Sequence, residues 1–435
     1  MMKTNTKLFS LILFLIVISF SSAQSFEELI KQGEEKFHSG EYSSSIDLFR
    51  KAVKIKPSDV EGVFSLGYVL GFSGQPDEGL QYLDKAIAMA PDSIQYIYNR
   101  GEIKGYKGDY KGAIEDIVYY KDHEKTKNPE YTYVLLAQYY IDYGDYKSAD
   151  LYLKKAEEKV ESLPFTFYYN KARLQLQNKQ FSQAIQNATK AININPNWAP
   201  PYFTRAKALH DVGKYDKSIV DYDVYIKYVP NDDIAISNRA LAKEKSGDLN
   251  GALSDYSKSI SLYDKSAVTY VNRSTTYQKL NKLDLAIADL NKAANLAPNY
   301  SIIYNLRGNL YADKNNYSEA VKDFTRALDI DPKSYDDLIS RSMCYLKLNN
   351  TNLALSDAKK AISLAPNYTD AYLQAGLSYF NSNQFNLAIE FFSKGINLNP
   401  EDGRLYYGRA AAYKELGNNS AATTDETKAK SLLTK

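Results

Sequence analysis

Small apolar, large apolar and turn-forming residues recur along the chain at a spacing of 34 residues. Counted from Phe26, the first three units begin at Phe26, Val60 and Ile94, and two small insertions shift the next starts to Glu130 and Phe165. From Phe165 the spacing runs without a gap through Ala199, Asp233, Ala267, Ser301, Tyr335, Thr369 and Gly403, which makes twelve units over residues 26–435. The eighth and twentieth positions hold Gly, Ala or Ser in every unit, as Gly308 and Ala320 do, and large residues such as Tyr304, Tyr311 and Phe324 fill the space beside them. Two small residues twelve apart, one on each side of a turn, let two antiparallel helices approach closely.

The turn itself is legible. Position fifteen is glycine or asparagine in every unit but one, where Lys179 stands. These are the residues that tolerate a left-handed helix end, so each first helix is predicted to stop there. Second helices are predicted to end before Pro57, Pro91, Pro196, Pro230, Pro298, Pro332, Pro366 and Pro400, since proline cannot continue a helix.

This pattern resembles the tetratricopeptide repeat family. The fullest unit matches it at Tyr304, Gly308, Tyr311, Tyr317, Ala320, Phe324, Ala327 and Pro332. Unit three departs, with Tyr120 at the place of Ala327, and units three, four, seven and twelve lack the closing proline. The resemblance implies an all-α fold, a right-handed superhelical solenoid of antiparallel helix pairs with a concave inner face. The insertions divide the array into units one to three (26–129), four and five (130–198) and six to twelve (199–435), the last second helix serving as a polar cap.

Seven units carry arginine at position seven, and the same seven carry aspartate at position twenty-three. They are Arg100 with Asp116, Arg205 with Asp221, Arg239 with Asp255, Arg273 with Asp289, Arg307 with Asp323, Arg341 with Asp357 and Arg409 with Asp425. In a hairpin that turns near position fifteen, the two positions lie at nearly the same height. Pairing between successive units would leave Arg100, Asp116, Asp357 and Arg409 without partners, whereas pairing within a unit satisfies all seven. The expectation is a structural ion pair joining the two helices of each hairpin, with no catalytic role.

Ahead of the repeats, Lys3 and Lys7 precede an apolar run from Leu8 to Phe20, and Ser21-Ser22-Ala23 offers small residues for cleavage. Residues 1–23 therefore read as a secretory signal peptide. An exported chain is expected, periplasmic in a Gram-negative bacterium and otherwise secreted. The apolar run falls short of the roughly 20 residues of a spanning helix, so no stable membrane insertion of the mature chain is expected. Without Lys3 and Lys7 the remaining Lys and Arg number 52, equal to the 52 Asp and Glu, and no long block of either sign occurs. That balance argues against nucleic acid as a partner. His38, His123 and His210 fall in different units and assemble neither a metal set nor a nucleophile, base and orienter. Cys344 reads as a small apolar residue. No catalytic residue, metal or cofactor is expected, and the chain reads as no enzyme.

The informative surface is the stripe of positions 2, 5, 9, 12 and 13 of each first helix, whose spacing places them on one face. The resemblance puts that stripe on the concave groove. Early units place Phe64, Tyr68, Phe72, Tyr98, Tyr106, Tyr131, Tyr169 and Phe203 there; later units place Val271, Ile302, Ile339, Leu346, Leu373 and Leu377. One reading is burial between repeats. The other is an aromatic-lined groove in which Phe64, Tyr68, Phe72, Tyr98, Tyr131, Tyr169 and Phe203 bind a protein or peptide. A glycan is the alternative ligand, because aromatic faces also stack on sugars. The carboxylate clamp known in the family is not carried over: position five reads Ile30, Phe64, Tyr98, Val134, Tyr169 and Phe203 in the first six units, never lysine. Arg173 and Lys207 read as isolated groove cations.

Overall fold

The computed structural model describes residues 24–124, 130–158 and 163–433, so the segment read as a signal peptide lies outside the described residues. Among the described residues there are twenty-four helices and no strand, and within each body successive helices pack as hairpins. The chain forms two compact bodies, one ending at Val212 and the other beginning at Gly213. The first holds five hairpins: Phe26–His38 with Tyr42–Ile55, Val60–Phe72 with Pro76–Met89, Ile94–Lys107 with Tyr110–His123, Glu130–Tyr143 with Tyr146–Glu157, and Phe165–Gln177 with Phe181–Ile194, then the helix Pro200–Asp211. The second opens with Tyr215–Tyr228. It continues through Asp233–Ser246 with Leu249–Leu262, Ala267–Lys279 with Leu283–Leu296, Ser301–Asp313 with Tyr317–Ile330, Tyr335–Lys347 with Thr351–Leu364, Thr369–Asn381 with Phe385–Leu398, and Gly403–Glu415 with Asn419–Leu433. First helices begin where the 34-residue spacing places them, except that the sixth opens one residue later. There Ala199 is the cap and Pro200 takes the first helical position, where its missing N–H costs nothing.

Local chemistry sets the helix ends. Asp59, Asp232, Ser266 and Ser334 cap first helices by accepting a backbone N–H, and Asp109, Asp145 and Asp248 do the same for second helices. At the turn, the residue after position fifteen closes back on the helix: the Glu41 N–H donates to the Lys36 carbonyl at 2.9 Å, Asp109 to Lys104 at 2.8 Å and Gln384 to Tyr379 at 2.9 Å. That closure needs a left-handed residue in between. Position fifteen has positive φ in all twelve repeats, including Lys179 at φ 57°. A lysine Cβ in that region crowds its own carbonyl, at a cost of roughly 1–2 kcal/mol, part of which glycine gives back through its freer unfolded chain. Lys179→Gly should therefore stabilise by about 0.5–1 kcal/mol. A denaturant midpoint that stays level or falls would refute the strain argument.

The small positions let large side chains into the hairpin. A methyl at Gly308 would lie 2.9 Å from the Phe324 ring, and one at Gly376 would lie 2.5 Å from that of Phe392. Phe49, Phe167, Phe324 and Phe392 are accordingly sealed, and the twentieth-position alanines from Ala113 to Ala388 are fully buried. Cys344 belongs to this core, packed with Ala320 and Phe324, and burial pushes its thiol up to about 11. It is a packing residue.

Within each body the arginines at position seven make a three-armed contact. Arg307 donates from Nε and Nη2 to Asp323 at 2.8 and 2.6 Å, and Arg100 does so to Asp116 at 2.8 and 2.7 Å. Arg239, Arg273, Arg341 and Arg409 hold Asp255, Asp289, Asp357 and Asp425 in the same bidentate way. These six aspartates are only 5–6% exposed. Arg205 and Asp221 belong to different bodies. The remaining nitrogen, Nη1, reaches back to the preceding repeat: Arg100 to Asp84, Arg205 to Thr189, Arg239 to Asp223, Arg273 to Ser257, Arg307 to Asn291, Arg341 to Thr325 and Arg409 to Ser393, at 2.7–3.1 Å. All seven acceptors occupy position twenty-five. Where the following repeat lacks the arginine, that position holds Arg50, Val118, Lys154 or Lys359. One guanidinium thus ties a hairpin together and binds it to its predecessor.

Candidate functional site: the aromatic face of the first helices

Phe64, Tyr68 and Phe72 stand four residues apart on Val60–Phe72, so their rings share one face of that helix. Tyr68 stacks on Phe64 at 5.8 Å and meets Phe72 edge-on at 4.9 Å. Neighbouring repeats extend the surface: Phe37 lies 5.9 Å from Tyr68, Tyr96 lies 4.4 Å from Phe64, and Tyr106 lies 5.9 Å from Phe72. Six rings from three repeats therefore touch in sequence. Phe64, Tyr68 and Phe72 are half-buried by this mutual cover, while Tyr106 is 59% exposed.

The other candidate rings differ in role. Tyr131 is 65% exposed. Tyr98 packs against Ala113, Ile117, Leu136 and Tyr139, with its ring 4.8 Å from that of Tyr120. It is not a free surface ring, because the fourth repeat covers part of it. Tyr169 meets Trp198 edge-on at 4.7 Å and carries the Arg173 guanidinium 5.5 Å above its centre. Arg173 is not isolated either, since it pairs with Asp142 at 2.5 Å. Lys207 is exposed and sits 5.9 Å from the half-buried Phe203 ring.

In the second body, Leu373 is a correction to the sequence reading. It is 6% exposed and packs with Tyr379, Phe392 and Leu405, so it forms core and no surface. Val271, Ile339 and Leu377 are also partly covered by core clusters. Ile302, named on the stripe, is 39% exposed, and the sequence reading missed its neighbours in the same position-two row, Ile234 and Val268, exposed at 61% and 59% and spaced one repeat apart. It also missed a polar recess in which Asn309 donates to Asn305 at 3.2 Å and Asn305 to Asp337 at 2.5 Å. Periodicity at position two would have found the first.

One charged residue interrupts the aromatic face of the first body. Glu102 stands one turn after Tyr98, at position nine, half-buried. The Asn99 amide donates to it at 3.4 Å, and among the described residues no basic side chain lies within ion-pair distance. Burial pushes its carboxyl up to about 7. The Tyr68, Tyr98 and Tyr139 hydroxyls are held above their ordinary range, first by burial and then by the Glu102 carboxylate. Tyr139 gains its place because Gly105 has no Cβ: a methyl there would run into the ring. Nothing periodic marks Glu102, so a search for recurring residues passes over it.

A carboxyl whose pKa is raised by folding binds its proton more tightly folded than unfolded. Stability is therefore lost as pH rises from the ordinary value of 4.5 to about 7. Glu102→Gln should stabilise by about 1–2 kcal/mol at pH 8, with partial exposure discounted, and by almost nothing at pH 4. Melting curves at the two pH values check this, and an equal gain at both would refute it.

Chemistry is sparse elsewhere. His123 stacks on Tyr119 at 4.0 Å, and among the described residues no group of three or more His, Cys, Asp or Glu is placed to hold a metal. Among them, too, no helix is long and apolar enough to cross a membrane.

Comparison with known proteins agrees with the geometry of the hairpins. Sequence models of the tetratricopeptide repeat match residues 301–334 and 60–93, 165–197, 267–300, 338–368 and 369–402. Serine/threonine-protein phosphatase 5 of Rattus norvegicus is 28% identical over 93 residues, which are 21% of this chain and 18% of that protein. The Mus musculus protein is 27% identical over 95 residues, with the same shares. The chain thus spans under a fifth of the length of these curated relatives. Among solved structures, the Cut9–Hcn1 hetero-tetramer of APC/C is matched over 95% of both chains at 14% identity and a TM-score of 0.46. The C-terminal part of a TPR repeat-containing protein from Cytophaga hutchinsonii is matched over 55% of this chain and 98% of that one, at 18% identity and a TM-score of 0.49. YrrB, described as a TPR protein with an unusual peptide-binding site, is 26% identical over 41% of this chain and 91% of its own, with a TM-score of 0.36. With six matched repeats, twenty-four helices in tandem among the described residues and a left-handed turn residue in each repeat, the chain belongs to the tetratricopeptide repeat family.

Proposed function

We propose that the protein is an exported, non-enzymatic scaffold that holds a protein or peptide partner on the aromatic first-helix face of its first body. Repeats of this family generally act as non-catalytic scaffolds for protein–protein interaction. The observation that carries the reading is the run of six touching rings from Phe37 to Tyr106, with Tyr106 and Tyr131 well exposed. Rigid aromatic side chains supply large contact area at low entropic cost, and they are enriched where few residues carry most of a binding energy. Export rests on residues 1–23, read from sequence alone.

A pull-down from the source organism's envelope extract tests the function, run before and after glycan-removing treatment. The expected result is a polypeptide retained by the parent protein in both conditions and lost with Tyr68→Ala/Phe72→Ala. Retention that disappears on glycan removal would favour a glycan ligand instead. Equal retention by parent and variant would overturn the proposed face.

A further inference from the structure

We propose that Glu102, beside the half-buried rings of Tyr68 and Tyr98, receives a lysine or arginine side chain of the bound peptide. The inference rests on the peptide-binding reading and names the chemistry it selects. Several other buried carboxylates in this fold are neutralised by basic side chains from within, while the buried Asp337 takes a close amide donor from Asn305 at 2.5 Å. Asp116 is held by Arg100 and Lys104, Asp255 by Arg239 and Lys243, and Glu244 by Lys279. Even the half-buried Asp142, on the same face, is held by Arg173. Glu102, on the face where a ligand is to lie, has no basic partner among the described residues and accepts from an amide at 3.4 Å. Lys104, two residues on, is already committed to Asp116 at 2.8 Å.

A carboxylate that loses water and gains no partner is unfavourable, and an incoming cation removes that penalty. The surrounding rings add to it. A tyrosine face attracts ammonium or guanidinium groups through its quadrupole, and more strongly as water is excluded. The polarity is opposite to that of a carboxylate clamp: an acidic side chain or a free carboxyl terminus would meet Glu102 in repulsion, and a neutral sugar would leave it unpaired.

The site carries its own pH signature. The ligand's cation needs the ionised carboxylate, and burial places Glu102 near 7. The groups that face it are the Tyr68, Tyr98 and Tyr139 hydroxyls, which stay protonated through neutral pH. Glu124, which accepts from the Tyr120 hydroxyl at 2.5 Å, also holds the Tyr98 hydroxyl up. Affinity for a basic peptide should therefore rise between pH 5.5 and 8, and Glu102→Gln should flatten that rise.

Fluorescence anisotropy of the purified chain tests the proposal. The probes are three labelled dodecapeptides that alternate alanine with lysine, norleucine or glutamate. At pH 8 the lysine peptide is expected to bind, to lose roughly tenfold with Glu102→Gln and to be unaffected by Glu115→Gln, which removes an exposed charge from the same hairpin. The glutamate peptide is expected to bind weakest. A lysine peptide that ignores Glu102→Gln, or loses equally with Glu115→Gln, overturns the cation site. If lysine and norleucine peptides bind alike and both are lost with Tyr68→Ala/Phe72→Ala, the aromatic face stands and the cation site falls. Should neither bind the parent, or both ignore the ring variants, the peptide-binding reading falls with it.

Discussion

Asp323→Ala should lower the unfolding free energy by about 2–4 kcal/mol, since it strands a guanidinium in the hairpin. Asp323 is 5% exposed and accepts two bonds from Arg307, at 2.8 and 2.6 Å. Arg307 cannot easily swing out to water, because Nη1 stays bonded to Asn291 of the preceding repeat and its guanidinium lies 5.5 Å over the Tyr304 ring. Replacing both partners, Arg307→Met with Asp323→Leu, should cost far less, since desolvation offsets most of the attraction of a buried pair. The denaturant midpoint of both variants decides it. A loss well under 1 kcal/mol for Asp323→Ala would show that water reaches the pair. Loss of partner binding without loss of stability would give the pair a different role altogether.

Tyr68→Ala/Phe72→Ala should weaken partner binding by about 30-fold or more, corresponding to roughly 2 kcal/mol at an interface hot spot. These two rings are the better test than Tyr98 or Tyr169. Tyr98 packs against Ile117 and Leu136, and Tyr169 against Trp198, so truncating either also disturbs packing. Tyr68 and Phe72 make ring contacts with each other and with Phe64, Phe37 and Tyr106. Removing both forfeits about 1 kcal/mol per aromatic contact in the free protein. A variant that melts many degrees lower yet binds normally once folded would place these rings in the core and move the binding surface elsewhere. The exposed Ile234, Val268 and Ile302 row would then be the next candidate.

The hairpins were legible because every repeat must solve the same packing problem. Gly308 opposite Phe324, and glycine or asparagine at position fifteen, recur for steric reasons that hold twelve times over. Lys179 breaks the residue rule yet obeys the backbone one, at φ 57°. The pairing of positions seven and twenty-three shows in the fact that the two residues travel together. The acceptor at position twenty-five was equally visible, since in the first eleven units it is Asp, Asn, Ser or Thr only ahead of an arginine-bearing repeat. It passes unseen when repeats are compared only within themselves. The surface was less legible. Tyr98 and Tyr68 both lie on the first-helix stripe, and only the placement of the next repeat tells a half-covered core ring from a ring of the aromatic run. Leu373 fails for the same reason. Glu102 occurs once, so periodicity has no hold on it; its signal is a lone acid in an aromatic stripe.

Site-specific photo-crosslinking in the native cell tests the central claim most directly. A benzophenone side chain placed at Tyr106 or Tyr131, both well exposed on first helices, can report contacts with little disturbance of packing. Leu151, 49% exposed on the second helix Tyr146–Glu157, serves as the comparison. The account predicts one polypeptide captured from Tyr106 and Tyr131 and none from Leu151. Capture from Leu151 alone, or equal capture from all three, would contradict it.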